Sequence, residues 1–328
     1  MLKWQRSAPI TMRLLAALPA VLLVLAALPH VGASTTSEVL LDVGGVLAHG
    51  VQALPAGECR GIVVVAHGYG HNAVEHTGHL THLADEGFAA IAMDYSGPLD
   101  GFPLGAGIRD TIAAADHLRA QCPGGPAYLY SVSMGTAVAG PVLASMPNFF
   151  SIWVDSEGLS QLAETWAEAT ALSPGNAFAK TASDAIVAEC HGTPAERPAC
   201  YHERSAALRA SEFVGLQGVV LAHALNDGLV PYNQGREMQA ALNAQGIKND
   251  FFTVVRDTNG GTGTTLTGYG SHDLDNGFTG HGTESVDTDT MTALTFGLLD
   301  QVVMGTYGQI GGGETVLESD VGMVPLTA

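Results

Sequence analysis

A serine between a predicted strand and a predicted helix is the residue of this chain best suited to nucleophilic chemistry. Ser133 lies in the sequence Ser-Val-Ser-Met-Gly at 131–135, which follows the apolar run 127–130. In the pattern G-x-S-x-G the serine occupies a strained turn that exposes its Oγ at the carboxyl end of the strand, and the outer positions must be small. Gly135 meets this requirement, and Ser131 meets it although it replaces the usual glycine. We therefore predict that Ser133 is a nucleophile.

The elements that must position this serine alternate between strands and helices. Short, continuous apolar runs rich in β-branched residues are typical of parallel strands that are covered on both faces. Such runs lie at residues 62–66, 88–93, 127–130, 150–154 and 219–224. Helical periodicity occurs at 105–120, 234–245 and 291–304, and residues 38–54 indicate a leading antiparallel hairpin. This alternation predicts an α/β fold with a doubly wound, mostly parallel sheet.

The chain resembles the α/β-hydrolase superfamily over roughly residues 38–305. The sequence His-Gly-Tyr-Gly at 67–70 follows the strand predicted at 62–66, as the oxyanion loop of that family does. The resemblance implies that the backbone N–H groups of Tyr69 and Met134 face the oxyanion that develops during acyl transfer. Each such donor typically stabilises the transition state by about 3 kcal/mol.

The same resemblance implies an acid and then a base after Ser133 in the chain. Asp227, in an Asn-Asp-Gly sequence after a predicted strand, matches the acid loop of the family. An ordinary Asp-Gly turn is the alternative interpretation of that dipeptide, and Asp155 is then the fallback acid. The base is expected in the loop after the strand that ends near residue 255. His272, in a Gly-Ser-His sequence, is preferred there, and His281, nearer the final helix, is the second candidate.

The first residues of the chain are typical of a secretory signal peptide. Three basic side chains precede an apolar run at 14–28, and Val-Gly-Ala at 31–33 provides the small residues of a cleavage site. An uncleaved membrane anchor is the alternative, and no stable membrane span is expected after cleavage. We therefore predict a signal peptide at 1–33, a hydrolase domain at 34–310 with a cap insertion at 157–210, and a flexible tail at 311–328.

Four cysteines in a chain predicted to be exported permit two disulfides in three possible pairings. Cys190 and Cys200 enclose a short loop that contains glycine and proline, so this pair is favoured. Cys59 and Cys122 remain, and each precedes a predicted strand that should neighbour the other in the expected fold. Free buried thiols are the alternative.

The composition and two weaker motifs limit the other functional classes. A formal net charge of −19 disfavours nucleic acid as a partner, because such binding needs clustered lysine and arginine. The pattern G-x-G-x-x-A at 68–73 with Asp94 after the next strand would fit an NAD-dependent oxidoreductase, but the predicted export and the leading strands oppose it. Glu75, His79 and His82 share one helical stripe that could bind zinc or copper, although a solvated helix face is the ordinary interpretation. We expect no cofactor and no metal.

These expectations describe a secreted serine hydrolase that cleaves carboxylic esters through an acyl-enzyme. Its partner would be a small-molecule or polymeric ester, as for an esterase or lipase. The segment 227–237 with its Val-Pro-Tyr also resembles serine peptidases of the prolyl-oligopeptidase type. A polyester depolymerase and a non-catalytic, hydrolase-like binding protein are further alternatives.

Overall fold

The structure, a computed structural model, describes residues 33–96, 101–255, 281 and 290–317 of the 328-residue chain. The strands are β1 (Thr35–Val43), β2 (Val46–Leu54), β3 (Gly61–Ala66), β4 (Phe88–Met93), β5 (Ala127–Val132), β6 (Ile152–Ser156), β7 (Gly218–Ala224), β8 (Asn249–Val254) and β9 (Glu314–Leu317). The α-helices are α1 (Thr77–Asp85), α2 (Leu104–Gln121), α3 (Thr136–Ser145), α4 (Leu162–Leu172), α5 (Ala177–Cys190), α6 (Pro198–Glu203), α7 (Tyr232–Ala244) and α8 (Thr290–Val303). Except for Ala33, the predicted signal peptide lies outside the described residues.

The nine strands of the described residues belong to one sheet, in the order β1-β2-β4-β3-β5-β6-β7-β8-β9. β1 and β2 form the predicted hairpin, and β2 also pairs with β4 in the antiparallel direction. Every pair from β4 to β9 is parallel. The prediction of a doubly wound, mostly parallel sheet is therefore confirmed, and the carboxyl ends of β3, β5, β6, β7 and β8 lie along one edge.

Helices cover both faces of the sheet, which explains why its central strands are apolar throughout. Ile62 and Val64 of β3 belong to the hydrophobic cluster that α2, α3 and α7 cover. Val63 and Val65 belong to the cluster on the opposite face, which α1 and α8 cover. A strand buried on both faces has no reason to alternate polar and apolar residues, so the continuous apolar runs of the sequence follow from this arrangement.

The interval between β6 and β7, where a cap is expected, contains α4, α5, α6 and a 3₁₀ helix at Ala207–Glu212. Leu162, Ile186 and Tyr201 anchor these helices in the cluster on the α3 side of the sheet. None of the helices among the described residues combines the length and the hydrophobicity needed to cross a membrane.

The structure departs from the expected flexible tail at 311–328, because β9 lies within it. Glu314–Leu317 pairs with β8 in parallel as the last strand of the sheet. Three consecutive glycine N–H groups, from Gly311 to Gly313, donate to the Asp250 carboxylate at 3.0 to 3.1 Å and hold the start of this strand against β8. Residues 318–328 lie outside the described residues.

Both favoured disulfides are present, joining Cys59 to Cys122 and Cys190 to Cys200. The first links the segment just before β3 to the end of α2, which leads into β5, the strand that pairs with β3. The second links the end of α5 to α6, between β6 and β7. The first pair was predictable because β3 and β5 are neighbours, and the second because its cysteines are close in sequence.

Loss of the two disulfides should destabilise the fold to different extents. In the loop-entropy account, a bridge that spans 63 residues contributes about 4 kcal/mol to the free energy of unfolding, and one that spans 10 contributes about 3 kcal/mol. We expect Cys59→Ala/Cys122→Ala to cost more stability than Cys190→Ala/Cys200→Ala in urea denaturation. The reverse order would show that loop closure does not govern stability here.

Candidate active site

Ser133 occupies the turn between β5 and α3. Its φ of +54° lies in the left-handed region, which is unfavourable for a residue other than glycine. A Cβ atom on Gly135 would lie 2.0 Å from the carbonyl oxygen of Ala66 on β3, so this position must be glycine. The strain and the close approach are those predicted for a serine nucleophile at a strand-to-helix turn.

Ser131, which replaces the first glycine of the usual motif, joins a buried hydrogen-bond network. Its Oγ donates to Oδ1 of Asp155 at 2.5 Å and accepts from Nε1 of Trp153 at 2.7 Å. The same carboxylate oxygen accepts from the Thr136 hydroxyl. The hydroxyl at position 131 therefore satisfies two buried polar groups directly below the nucleophile.

An imidazole lies between Ser133 and Asp227, and it belongs to His281. Its Nε2 is 2.9 Å from Ser133 Oγ, and its Nδ1 is 2.7 Å from Asp227 Oδ2. Because an ionised carboxylate only accepts hydrogen bonds, Nδ1–H donates to Asp227 and leaves Nε2 to accept from the serine hydroxyl. The sequence favoured His272 for this position, and His272 lies outside the described residues.

Asp227 is fully buried at the carboxyl end of β7, where backbone and side-chain groups hold its carboxylate. Oδ1 accepts from the N–H groups of Leu229 and Val230, both at 2.8 Å. On the other side, Nε2 of His223 is 3.3 Å from Oδ2. Burial opposes ionisation, but the facing His281 and His223 outweigh it and hold the pKa of Asp227 well below its usual range. The carboxylate is thus prepared to orient an imidazole and to stabilise its protonated form.

Asp155, the fallback acid, faces the other way. Its carboxylate accepts from Ser131 and Thr136 and lies at the base of the turn instead of beside the imidazole. Burial raises its pKa to about 6, although both hydroxyl donors favour the ionised form. The structure therefore gives Asp155 a role in the packing of β5, β6 and α3.

The raised pKa of Asp155 predicts a pH-dependent stability. An acid whose pKa is higher in the folded state stabilises the fold below its unfolded pKa of 3.8, and this contribution is lost as the pH rises through about 6. Relative to wild type, Asp155→Asn should gain up to about 3 kcal/mol in the free energy of unfolding between pH 3.5 and pH 7.5. Urea denaturation at both pH values measures this, and a difference that does not change with pH would contradict it.

Glu157 is a second acidic neighbour of the imidazole that sequence reasoning missed. It is fully buried, has a φ of +50°, and its Oε2 lies 3.8 Å from Nδ1 of His281. Glu157, Asp227 and His281 bring one ligand atom each within 4.8 Å of one another, a spacing that a metal ion could use. The 2.7 Å contact of Nδ1 with Asp227 already engages two of these three groups. The left-handed backbone conformation of Glu157, just after β6, could not be predicted from the sequence, because glutamate rarely adopts this conformation.

A cavity opens on Ser133, and helices α4 and α5 form part of its wall. Gly68, Tyr69 and Met134 line it together with Ser133 and His281, so both residues expected to supply oxyanion donors lie beside the serine. Most of the remaining lining is apolar and comes from α4, α5 and the segment after Asp227. The cavity volume is about 130 Å³, similar to that of a cavity of about 150 Å³ that holds one benzene molecule.

The groups of the two weaker motifs have partners in the protein. Asp94 accepts from the N–H of Ala73 at 2.7 Å and contacts Nδ1 of His49, so its carboxylate is engaged by protein groups. In the histidine stripe, Glu75 contacts His71 and His82 contacts Asp300. His79, the third member, stacks on Phe296 with 3.4 Å between ring centroids. These side chains are directed to separate partners and do not converge on a common centre.

The strand order and the position of Ser133 are those of the α/β-hydrolase fold, and solved structures agree. The chain is similar to a puromycin hydrolase (TM-score 0.59, 18 % identity, 89 % of this chain and 41 % of that chain). It is also similar to a puromycin-hydrolysing peptidase of Mycobacterium tuberculosis (TM-score 0.57, 17 % identity, 87 % and 41 %). A third similar structure is prolyl oligopeptidase B of Galerina marginata (TM-score 0.50, 14 % identity, 65 % and 32 %). No family model and no curated protein matches the chain.

At these identities the likeness establishes the fold. The chain spans less than half the length of each of the three proteins. The expected resemblance to the α/β-hydrolase superfamily is confirmed at this level, and the chemistry must be argued from the site.

Proposed function

We propose that this chain is a serine hydrolase in which Ser133, His281 and Asp227 form the catalytic triad. One observation carries the proposal, namely the continuous hydrogen-bond chain from Ser133 Oγ through His281 to a buried, ionised Asp227. This arrangement activates a serine because the imidazole can take its proton while the carboxylate stabilises the resulting cation. The proposed base is His281 instead of His272.

The proposed reaction proceeds in two acyl-transfer steps. Ser133 Oγ attacks the substrate carbonyl carbon while its proton passes to Nε2 of His281. The tetrahedral oxyanion faces the N–H groups proposed for it, those of Tyr69 and Met134. The C–N or C–O bond then breaks, and the leaving amine or alcohol takes the proton from Nε2. Water then attacks the acyl carbon and gives a proton to Nε2. The bond between this carbon and Ser133 Oγ breaks, Oγ takes the proton back from Nε2, and the free acid departs.

Cleavage of an amide bond is the preferred form of this activity. The names of the similar structures include peptidases and a puromycin hydrolase, whereas the sequence alone favoured carboxylic esters. Ester cleavage is the second candidate, because the largely apolar cavity suits an apolar acyl group of about the size of one benzene ring. The two disulfides support an extracytoplasmic location, where such bonds persist.

The proposal is tested by turnover together with covalent labelling. The purified protein is assayed with p-nitrophenyl butyrate and with amino-acid p-nitroanilides, and a fluorophosphonate probe is mapped by peptide mass spectrometry. We expect turnover of at least one substrate class and a single label on Ser133. A label on another residue, or turnover that the probe does not block, would refute the assignment.

Substitution of the two aspartates distinguishes the proposed acid from the fallback. Asp227→Asn should lower kcat by about 10⁴-fold, because an amide favours the wrong imidazole tautomer and leaves the imidazolium unpaired. Asp155→Asn should change kcat by less than about threefold, since its carboxylate accepts from Ser131 and Thr136. Circular dichroism of both variants controls for folding. Loss of turnover in Asp155→Asn with an active Asp227→Asn would move the acid to Asp155.

A further inference from the structure

Glu168 places a carboxyl group in the wall of the cavity that contains Ser133. It lies on the cap helix α4 and lines the cavity with the serine and the imidazole. Its Oε2 is shielded from solvent and has no close hydrogen-bond partner among the described residues, although the side chain of Asn233 interacts with the carboxyl group and favours its ionised form. Shielding a carboxylate oxygen without a close partner is costly, so Oε2 is prepared for a ligand that donates a hydrogen bond to it.

The surroundings of Glu168 are negative. Burial raises the pKa of Glu168 to about 7, and the nearby carboxylates of Glu164 and Glu237 add to this, while Asn233 opposes it. None of the described residues that line the cavity is a lysine or an arginine. A positively charged ligand group would therefore complement this part of the cavity.

The rest of the wall limits what can accompany that positive charge. Tyr69, His71, Thr165 and Asn176 add polar groups to the lining, but much of it is apolar, including Phe102, Leu159, Leu172 and Phe178. An occupant that combines a small apolar body with one cationic group therefore fits both Glu168 and the apolar part of the wall. An amino acid with a free amino group, joined through its carbonyl carbon to a leaving group, has this combination.

We propose that the cavity selects acyl groups that carry a free, protonated amino group, with Glu168 as the specificity-determining residue. This inference rests on the proposed function, because it assigns the cavity beside Ser133 to the acyl part of the substrate. The ammonium group donates to the Glu168 carboxylate while the carbonyl carbon lies against Ser133 Oγ. A substrate without the amino group leaves the shielded Oε2 without a donor, and a site built to pair a polar group rejects an analogue that lacks it.

A pair of substrates that differ only in the amino group tests this inference. Alanine p-nitroanilide carries the ammonium group, and propionic acid p-nitroanilide replaces it with hydrogen. We expect wild-type kcat/KM to be about 10- to 100-fold higher for the alanine compound, in the range of a hydrogen bond between charged groups. In Glu168→Gln this ratio should fall to less than about threefold, because activity on the alanine compound decreases and activity on the propionyl compound does not.

A matched variant on the cap controls for the loss of one negative charge. Asp184 lies on the neighbouring helix α5, is exposed, and pairs with Lys180 away from the cavity. Asp184→Asn should keep the wild-type ratio. Thermal unfolding of both variants identifies any loss of folding.

The outcomes separate this inference from the proposed function. If p-nitrophenyl butyrate is cleaved and Ser133 is labelled, but wild type does not prefer the alanine compound, Glu168 does not select cations and the proposed function stands. An unchanged ratio in Glu168→Gln also overturns the inference. If neither anilide nor the ester is cleaved and Ser133 is not labelled, the proposed function itself has failed.

Discussion

Ser133→Ala is expected to lower kcat by about 10⁴- to 10⁶-fold, with KM changed by only a few-fold. Removal of the nucleophile leaves only the contribution of the oxyanion donors and of substrate positioning, and that residual rate remains well above the rate in water. The substrate that wild type cleaves best is assayed with wild type, Ser133→Ala and the control Ser173→Ala. Ser173 lies between α4 and α5 and donates to the Thr170 carbonyl, so its loss should leave kcat unchanged.

The stability of Ser133→Ala is also informative. Ser133 has a left-handed backbone conformation, and alanine at this position retains the strain without the hydroxyl. We therefore expect little change in the unfolding midpoint. Equal turnover by wild type and Ser133→Ala would show that another residue is the nucleophile, and it would remove the basis of the triad.

The second large effect concerns the base, for which two histidines compete. His281→Gln should lower kcat by about 10⁴-fold or more, because it removes the group that hydrogen-bonds to both Ser133 and Asp227. His272→Gln should change kcat by less than about threefold. Glutamine retains hydrogen-bonding capacity but cannot take up a proton at neutral pH. An inactive His272→Gln together with an active His281→Gln would reverse the assignment.

Much of this architecture could be predicted because parallel strands leave clear marks in a sequence. The runs at 62–66 and 88–93 correspond to β3 and β4 within one residue. Once the order of strands is known, residues that directly follow a strand must lie at the carboxyl edge of the sheet. For this reason Ser133 and Asp227 could be proposed from the sequence, and the structure brings both to one imidazole.

The choice between His272 and His281 could not be made in the same way. Both follow β8 within a long segment without apolar periodicity, and such a segment contains no register from which a side-chain position can be calculated. Local sequence favoured His272 because Gly-Ser-His is similar to the base loop of the family. A contact across 148 residues, from His281 to Ser133, depends on tertiary structure alone.

Glu157 and Glu168 were missed for a related reason. Neither belongs to a motif, and each becomes notable only through its neighbours, His281 for Glu157 and the cavity beside Ser133 for Glu168. Glutamates on a helix or after a strand are usually solvated, so their sequence context favours an exposed surface. Burial of a charged group is decided by the packing of distant elements.

The hydroxyl of Ser131 has a consequence for protein engineering. Consensus design replaces unusual residues with the commonest residue of a family, and such changes often increase stability. At position 131 this strategy would introduce glycine and complete the usual G-x-S-x-G pattern. It would also remove the acceptor of the Trp153 indole N–H and one donor to Asp155, both deep in the protein. In this chain Ser131 belongs to a hydrogen-bonded set of buried residues, and stabilising libraries should keep Ser131 for as long as Trp153 and Asp155 are kept.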